Sequence, residues 1–484
     1  MGNEVVFNEE NPYIYGLFEQ DPAKPGESQI LRNPLTHGTS LKKTNIINCL
    51  TQLDCFEYQL SHRPKDNFIG TREYFPKDNR YGEYIWKSYS EFYKIAKYFL
   101  YGIEKLNLCP EFFVNDDVIG KNYYSFIGIY SMNREEWIVG SIGCQMNSTI
   151  IVPLYDTLGI NSLGYILEQT EIITIIMETK NILKIIEMHN KNLLHKLKNI
   201  ILLKCNEELP KLNENIEKCK EFGINIFTYE NIIETGKKCV EENEKEIVEK
   251  NYKRPNPDSI YMICYTSGVT GNPKGALIKQ KAIALAPNAM FTIGYMITPK
   301  DRVFSFLPLA HVMEQLVFMA SLIYGTQTGF SSGSLSRLLE DLQKLKPTYF
   351  IAVPRVYERV HTEIMKKISS KGGLIQKIFK KGLKIKINNY KKYGILQDTI
   401  FDLLFFNKTK DILGGAPMQT EIVEQLKVMF CCPIVEGYGQ TETCGASLLG
   451  CIYDTTNNST GGVTDANELK LVDLPEFEYF STDV

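Results

Sequence analysis

A short stretch in the middle of the chain combines hydroxyl, glycine and lysine side chains in an order suited to binding an anion. Residues 260 to 265 are almost entirely apolar and predict a buried strand. They are followed by Thr266-Ser267-Gly268-Val269-Thr270-Gly271-Asn272-Pro273-Lys274-Gly275. Glycines let backbone N–H groups approach a phosphate closely, and Lys274 adds a fixed positive charge. The stretch therefore predicts an anion-binding loop, with an ordinary surface turn as the alternative.

This loop differs from the phosphate loop of the P-loop nucleotide triphosphatases. That motif has Gly, four residues and then Gly-Lys-Ser/Thr at the start of a helix, and its last hydroxyl binds Mg²⁺. Here Lys274 follows Asn272-Pro273 and precedes Gly275, so the metal-binding hydroxyl is missing. The lysine spacing argues against a P-loop ATPase.

Two later segments repeat the design of an apolar run followed by glycines. The first, Ile412-Leu413-Gly414-Gly415-Ala416-Pro417, predicts a short strand that enters a glycine turn before a helix capped by Thr420. The second, residues 433 to 443, predicts a strand and a glycine turn that contain Gly437-Tyr438-Gly439-Gln440-Thr441-Glu442. Paired glycines let a flat ring lie against the backbone. Tyr438 can stack on adenine, Thr441 can donate to an α-phosphate, and Glu442 can hold Mg²⁺.

A histidine follows another apolar run. Residues 302 to 307 predict a strand that ends at Pro308, and a helix begins near His311. Residues 316 to 325 continue as a buried helix. On residue type alone, His311 is either a core residue or part of a substrate site.

The elements that must position these groups alternate between strands and helices. Ser88 or Ser90 can cap a helix whose apolar residues recur at three- and four-residue steps. Residues 125 to 130, 150 to 154 and 172 to 177 are strand-like, and helices are predicted from 133 and over 160 to 168. Strand, helix and strand at this spacing predict a parallel sheet with crossover helices. Residues 1 to 83 show no long periodic segment, which predicts an extended arm.

Taken together, the three glycine motifs resemble those of the AMP-forming acyl/adenylate synthetase superfamily. The first motif matches except at Val269, where the family has a threonine. Asn133-Arg134-x-x-Trp137, residues 152 to 159 and residues 348 to 359 further resemble the long-chain fatty acyl-CoA synthetases (long-chain-fatty-acid–CoA ligases). The resemblance extends from about residue 84 to residue 475.

The resemblance implies an α/β fold, with a large N-terminal adenylation domain made of two α/β subdomains of mostly parallel sheet. The resemblance also implies a small β-barrel lobe that is incomplete here. Residues 469 to 475 look like one strand of this lobe. Only 42 residues follow Glu442. We therefore expect this chain to be truncated relative to the family, with the C-terminal α+β domain absent. Its domains are an N-terminal arm, 1–83, and an AMP-binding (adenylation) domain, 84–484, incomplete at its C-terminal end.

The family converts a carboxylate and ATP into an acyl-adenylate and pyrophosphate, and then transfers the acyl group to coenzyme A. By resemblance, a long-chain fatty acid is the substrate, and ATP, Mg²⁺ and coenzyme A are the cofactors and co-substrates.

The resemblance also implies which residues form the site. The expected catalytic residues are Lys274, Thr441 and Glu442. The expected nucleotide-binding residues are Thr266, Ser267, Gly268, Thr270, Gly271, Lys274, Gly414, Gly415, Ala416, Pro417, Tyr438, Gly439 and Thr441. Substrate binding is expected at His311, Gly414 and Gly437, and metal binding at Glu442 with Thr266 as a further candidate. The alternative is a non-catalytic fragment that binds nucleotide or acyl chain.

Composition limits the partners and the compartment. With 54 basic and 57 acidic residues, the chain has no general attraction to nucleic acid. Twelve cysteines without a Cys-x-x-Cys motif predict reduced intracellular thiols and no zinc site. No signal peptide or membrane span is predicted.

Residues 366 to 393 are rich in lysine and apolar residues, which fits either a surface helix or a membrane-facing one. The expected location is the cytoplasm, or the periphery of the endoplasmic reticulum membrane.

Overall fold

The computed structural model describes most of the chain in two compact units. The described residues are 15–155, 157–206, 209–242, 253–266, 271–289, 297–396, 414–415, 420–452, 454 and 459–482. Unit 1 consists of Met1–Asn45, Leu285–Phe304 and Lys346–Val484. Unit 2 consists of Ile46–Ala284 and Ser305–Leu345.

Strands and helices alternate through much of the chain. The strands are β1 (Leu17–Phe18), β2 (Leu31–Arg32), β3 (Asn67–Phe75), β4 (Arg80–Ser88), β5 (Phe112–Asp116), β6 (Gly120–Tyr124), β7 (Phe126–Tyr130), β8 (Ile150–Pro153), β9 (Thr174–Glu178), β10 (Asn199–Leu203), β11 (Asn225–Thr228), β12 (Ile260–Thr266), β13 (Lys274–Lys279), β14 (Arg302–Ser305), β15 (Gln327–Phe330), β16 (Ile351–Ala352), β17 (Gly414–Gly415), β18 (Gly437–Gln440), β19 (Gly445–Leu449), β20 (Gly462–Val463) and β21 (Glu468–Leu469). The helices are α1 (Gln52–His62), α2 (Tyr89–Lys105), α3 (Glu135–Gln145), α4 (Ile160–Thr170), α5 (Ile182–Asn190), α6 (Leu212–Glu221), α7 (Tyr229–Glu242), α8 (Gln280–Leu285), α9 (Val312–Tyr324), α10 (Leu338–Leu345), α11 (Pro354–Ser369), α12 (Gly373–Tyr393) and α13 (Thr420–Phe430).

Unit 2 is built on a seven-stranded sheet in the order β11-β10-β9-β7-β8-β12-β13. All pairs are parallel except β12 with β13, which is antiparallel. The central strands carry continuous apolar runs because helices cover both faces of a parallel sheet. Ile127, Ile151, Ile176 and Ile201 are fully buried. The predicted α/β class and parallel sheet are confirmed.

The helix predicted after Ser88 is α2, and its start follows from local chemistry. The Ser88 hydroxyl accepts a hydrogen bond from the Glu91 N–H at 3.3 Å, and the Glu91 carboxylate accepts one from the Ser88 N–H at 2.8 Å. This reciprocal capping box satisfies backbone groups that the helix itself leaves unpaired. The apolar side of α2 is buried, as its three- and four-residue spacing predicts.

The prediction of an extended arm over residues 1 to 83 is wrong from residue 52 onwards. There α1, β3 and the start of β4 form, and Phe56 and Phe68 are fully buried. The helix lacks a clear apolar period because two of its buried positions are glutamines. Gln52 donates to the Tyr261 hydroxyl at 2.7 Å, and Gln59 donates to the Ile323 carbonyl at 3.0 Å. The assignment of 84–484 as one adenylation domain stays a prediction.

Unit 1 contains small sheets and a group of helices. Strands β1, β2 and β21 form one antiparallel sheet, β18, β19 and β20 form another, and β16 pairs with β17 in parallel. Among the described residues these strands do not close into a barrel. Helices α12 and α13 share a core that includes Phe379, Leu383, Tyr390, Val428 and Met429. No helix in the described ranges is both long and apolar enough to cross a membrane.

Candidate functional site

The predicted anion loop connects two paired strands of unit 2. The pairing of β12 with β13 places Thr266 opposite Lys274, and the Thr266 hydroxyl lies 3.4 Å from the Lys274 carbonyl oxygen. Ser267, Gly268, Val269 and Thr270 lie outside the described residues. Gly271 has a φ of +137°, a conformation that favours glycine. The two ends of the predicted loop are thus held together.

The lysine at the end of this loop is available to a ligand. Lys274 is exposed at the first position of β13. Within the described part of the chain, its ammonium group forms no ion pair. A positive charge fixed on a paired strand, without an acidic partner among the described residues, suits an anionic ligand.

Residues 307 to 311 lie across the carboxyl edge of the same sheet. Asn133, just beyond β7, donates to the Leu307 carbonyl at 2.6 Å and accepts from the Leu309 N–H at 2.8 Å. The Cys264 thiol, on β12, contacts the Ala310 carbonyl at 3.4 Å. Ligands of parallel α/β sheets bind at this edge. The contacts therefore bring the loop ends and the segment before α9 to one side of unit 2.

His311 caps the N-terminus of α9 through one of its ring nitrogens. Its Nδ1 accepts the Met313 N–H at 3.1 Å, so the neutral ring carries its proton on Nε2. The ring is edge-on to that of Tyr155, with the centroids 6.4 Å apart. His311 is exposed, yet partial desolvation by its surroundings lowers its pKa below the usual value. The result is a neutral histidine that can donate a hydrogen bond from Nε2.

Glu314 is a buried carboxylic acid that the sequence did not assign to a site. It lies in the first turn of α9 and accepts a hydrogen bond from the Ser305 hydroxyl, and the Asn133 amide approaches its Oε1 at 3.5 Å. Burial raises its pKa to about 8. An acidic residue at the start of the apolar sequence of α9 is the signal that could have identified it.

We expect Glu314→Gln to remove a pH dependence of stability. The unfolded chain releases this proton near pH 4.5 and the folded chain near pH 8, so the free energy of unfolding falls as pH rises between them. The slope is about 1.4 kcal/mol per pH unit, and the loss is complete above pH 8. Urea titrations at pH 5, 6, 7 and 8 should show the variant gaining stability relative to the parent at each step. The exposed Glu221→Gln on α6 is the control, and parallel curves for parent and Glu314→Gln would refute the expectation.

A small cavity adjoins the segment held by Asn133. Its volume is about 120 Å³, and it is lined by Met132, Asn133, Phe306, Pro308, Ser331, Gly333, Ser334 and Leu338. Most of these side chains are apolar, and all the residues belong to unit 2. The cavity is therefore part of the same carboxyl edge as His311.

The remaining predicted residues belong to unit 1. Gly414 and Gly415 form β17 and pair with Ile351 and Ala352, while Ala416 and Pro417 lie outside the described residues. The two glycines thus lie in a strand where a turn was predicted, because they pair with β16. Ile412 and Leu413, which were predicted to form the strand, lie outside the described residues.

The Tyr438 motif forms a strand where a glycine turn was predicted. Strand β18 covers Gly437–Gln440, and the turn follows at Thr441 to Cys444, so the strand predicted over 433–436 is displaced. The reason is close pairing with β19, since a Cβ at position 439 would lie 1.9 Å from the Gly445 carbonyl oxygen. The glycines of this motif allow two strands to approach.

The side chains of this hairpin differ in exposure. Tyr438 is 47% exposed, and its hydroxyl accepts from the Gln440 amide at 2.6 Å. Thr441 is 7% exposed, whereas Glu442 is exposed and, within the described ranges, makes no ion pair. The described residues contain no cluster of three or more His, Cys, Asp or Glu that could hold a metal ion without a ligand's help.

Comparison with known proteins identifies a matching family and several relatives of this chain. A family described as AMP-binding enzyme matches residues 115–484. The chain is 33% identical over 412 residues to fatty acyl-CoA synthetase B of Dictyostelium discoideum, which covers 83% of this chain and 57% of that protein. It is 31% identical over 469 residues to fatty acyl-CoA synthetase A of the same organism, covering 95% and 65%. The chain thus spans less than two thirds of the length of these relatives.

A solved structure supports the fold. The adenylation domain of a carboxylate reductase from Mycobacterium chelonae matches with a TM-score of 0.66 and 20% identity, over 90% of this chain and 63% of that one. At this identity the likeness concerns the fold alone.

Proposed function

Because the chain belongs to the AMP-binding enzyme family, we propose that it activates a long-chain fatty acid with ATP to an acyl-adenylate and pyrophosphate. The acyl group is then transferred to the thiol of coenzyme A, and AMP is released. The reaction class is that of an acid–thiol ligase that forms AMP and pyrophosphate. The observation that carries the proposal is the position of Lys274, Thr266 and the 307–311 segment at one carboxyl edge of the parallel sheet. The names of the relatives at 31% and 33% identity support the acyl-CoA product.

The anion loop would act on the departing pyrophosphate. A carboxylate is a poor electrophile, so one of its oxygens attacks the α-phosphorus of ATP and the bond from that phosphorus to pyrophosphate breaks. Negative charge then builds on the leaving group, where the Lys274 ammonium would stabilise it. Thr266, Ser267, Gly268, Thr270 and Gly271 would supply hydroxyl and N–H donors to the same phosphates. No nucleophile from the protein is required.

His311 would orient the acyl carboxyl group. Its Nε2–H is a neutral donor because Nδ1 is already occupied by the backbone of α9. A neutral donor can bind the carboxylate without holding it as a tight ion pair, which leaves an oxygen able to attack. Gly414 and Gly437 are the further substrate-binding residues in this proposal.

The motifs of unit 1 would bind the nucleoside part. The adenine ring would stack on Tyr438, whose ring is exposed, and lie against the backbone of Gly414, Gly415, Ala416, Pro417 and Gly439. Thr441 would donate to the α-phosphate.

Glu442 is the proposed Mg²⁺ ligand, with Thr266 as a further candidate. Mg²⁺ binds oxygen ligands and usually combines one or two carboxylates with substrate phosphates and water. The exposed Glu442 carboxylate, without an ion pair in the described part of the chain, fits this role. When bound, the cation would offset the charge of the triphosphate.

We expect Glu442→Gln to raise the Mg²⁺ concentration needed for half-maximal pyrophosphate release by about tenfold, because the neutral amide is a weaker ligand. The measurement is a Mg²⁺ titration at saturating ATP. Glu476→Gln, an exposed carboxylate elsewhere in unit 1, should leave the titration unchanged. Equal Mg²⁺ requirements for parent and Glu442→Gln would exclude Glu442 as a ligand.

The decisive test of the proposed reaction is pyrophosphate release by residues 1–484 that depends on added fatty acid. Acyl-CoA formation is then measured after addition of coenzyme A. Release of inorganic phosphate without pyrophosphate would point to a different ATPase reaction.

A second candidate is a non-catalytic module that binds nucleotide or acyl chain. Calorimetry would then show ATP or fatty-acid binding with no adenylate formed. The location, cytoplasmic or peripheral at the endoplasmic reticulum membrane, stays a prediction.

A further inference from the structure

The segment around α12 differs from the rest of the chain in charge. Residues 364 to 396 contain ten lysines and no aspartate or glutamate, whereas the whole chain has 57 acidic and 54 basic residues. The segment includes the end of α11, the connection and all of α12. A local concentration of positive charge is thus present in a chain that is slightly acidic.

Packing determines which side of α12 faces outwards. Phe379, Leu383, Lys386 and Tyr390 recur at three- and four-residue steps, and all are buried. Phe379, Leu383 and Tyr390 belong to the hydrophobic core shared with α13. This stripe holds the helix against unit 1 and leaves the opposite side, together with the first turns, uncovered.

Three large apolar side chains lie on the uncovered part. Leu374 is 73% exposed, and Ile375 and Ile378 are 37% and 38% exposed. Leu374 and Ile378 are four residues apart and therefore neighbours on one side of the helix. These side chains, grouped within five residues, form a small exposed apolar patch.

Lysines surround this apolar group. Lys377, Lys380, Lys381 and Lys384 are exposed, and within the described ranges none of the four forms an ion pair. Lys377 and Lys381 follow Leu374 and Ile378 by three residues, which places them along the same side. The second half of α12 differs, because there Lys386 lies 3.1 Å from the Cys431 thiol and Lys391 pairs with Glu424 at 2.8 Å.

We infer that the first half of α12 is a docking surface for an anionic lipid membrane. Leu374, Ile375 and Ile378 enter the interface between head groups and acyl chains, while the lysines contact anionic head groups. Amphipathic helices with basic and apolar sides bind membranes in this way, lying in the plane of the interface. The exposed aliphatic residues favour a membrane over non-specific nucleic-acid binding, which depends almost entirely on charge.

The inference is tested by vesicle flotation in the absence of ATP, fatty acid and coenzyme A. We expect the chain to float with vesicles of phosphatidylcholine and phosphatidylserine, and to bind vesicles of phosphatidylcholine alone much more weakly. Each lysine near such a surface contributes about fivefold to partitioning, and the attraction weakens as salt rises. The double variants K377E/K381E and L374S/I378S should each lower partitioning at least about tenfold.

A matched control separates this effect from a general change of charge. K237E/K238E reverses two exposed lysines on α7, which pair with Glu241 and Glu234 and have no such apolar group beside them. It should leave flotation within about twofold of the parent. The single variants L374S and K377E give the same comparison if a double variant folds poorly, which circular dichroism would reveal.

Two outcomes would overturn the inference. One is flotation that is unchanged in both α12 variants. The other is loss of binding in K377E/K381E but not in L374S/I378S, together with equally tight binding of the parent to double-stranded DNA, which would identify a general polyanion surface. Because no substrate is present, failure here is distinct from failure of the proposed reaction.

Discussion

Lys274→Ala is expected to lower fatty-acid-dependent pyrophosphate release by roughly 100-fold, the effect typical of removing one preorganised group that stabilises transition-state charge. Lys274 is exposed at the start of β13, opposite Thr266, with no ion pair in the described part of the chain. Its ammonium group is therefore free to contact phosphate oxygens, and an alanine supplies no charge. The measurement is a pyrophosphate assay at saturating ATP and fatty acid.

The same strand provides the control. Lys279, at the other end of β13, is also exposed and lies 4.0 Å from Asp258. Lys279→Ala should keep activity within about twofold, since exposed ion pairs contribute little. Calorimetric titration with pyrophosphate offers a readout independent of turnover, and its affinity should fall only in Lys274→Ala. Equal losses in the two variants would mean that the positive charge of β13 acts in general and that Lys274 has no special role.

The sheet of unit 2 was predictable because its signals are local. Apolar runs of five or six residues separated by helix-length segments fit only buried parallel strands with crossovers, and β7, β8 and β9 lie where these runs occur. The start of α2 was equally local, since Ser88 and Glu91 form the cap between themselves. By contrast, α1 depends on buried glutamines whose hydrogen-bond partners are far away in sequence. The local sequence pattern cannot predict such hydrogen bonds.

In the candidate site too, some features were predictable from local sequence and others depend on tertiary contacts. Motifs with a fixed order of residue types identified Lys274, His311 and Glu442, although their roles stay predictions. The tertiary contacts of Asn133 with Leu307 and Leu309 could not be found from sequence, because the partners lie more than 170 residues away. The displacement of β18 from residues 433–436 has a similar cause, since close pairing with β19 decides where the strand forms.

Asp341→Ala is expected to reduce the free energy of unfolding by about 3 kcal/mol, because the buried Arg72 loses its buried carboxylate partner and keeps only the half-exposed Glu340. The Arg72 guanidinium donates to the Asp341 carboxylate at 2.8 Å, and neither side chain is exposed to solvent. The second carboxylate oxygen accepts from the Ser332 N–H and hydroxyl, both at 2.9 Å. Asp341 therefore also holds the 331–334 segment that lines the cavity next to Asn133. Urea unfolding of parent and variant at pH 7 provides the measurement.

Glu340 is the matched control, because it contacts the same guanidinium at 2.6 Å from a half-exposed position. Glu340→Gln should cost no more than about 1 kcal/mol, since water screens that pair. The double variant R72M/D341L separates the two roles of Asp341. Apolar replacement of a buried pair is often neutral, so recovery of stability would assign the loss to the part of the Arg72 charge that Asp341 neutralises. Persistent instability would assign it to the bonds with Ser332, and a loss below 1 kcal/mol in Asp341→Ala would contradict both.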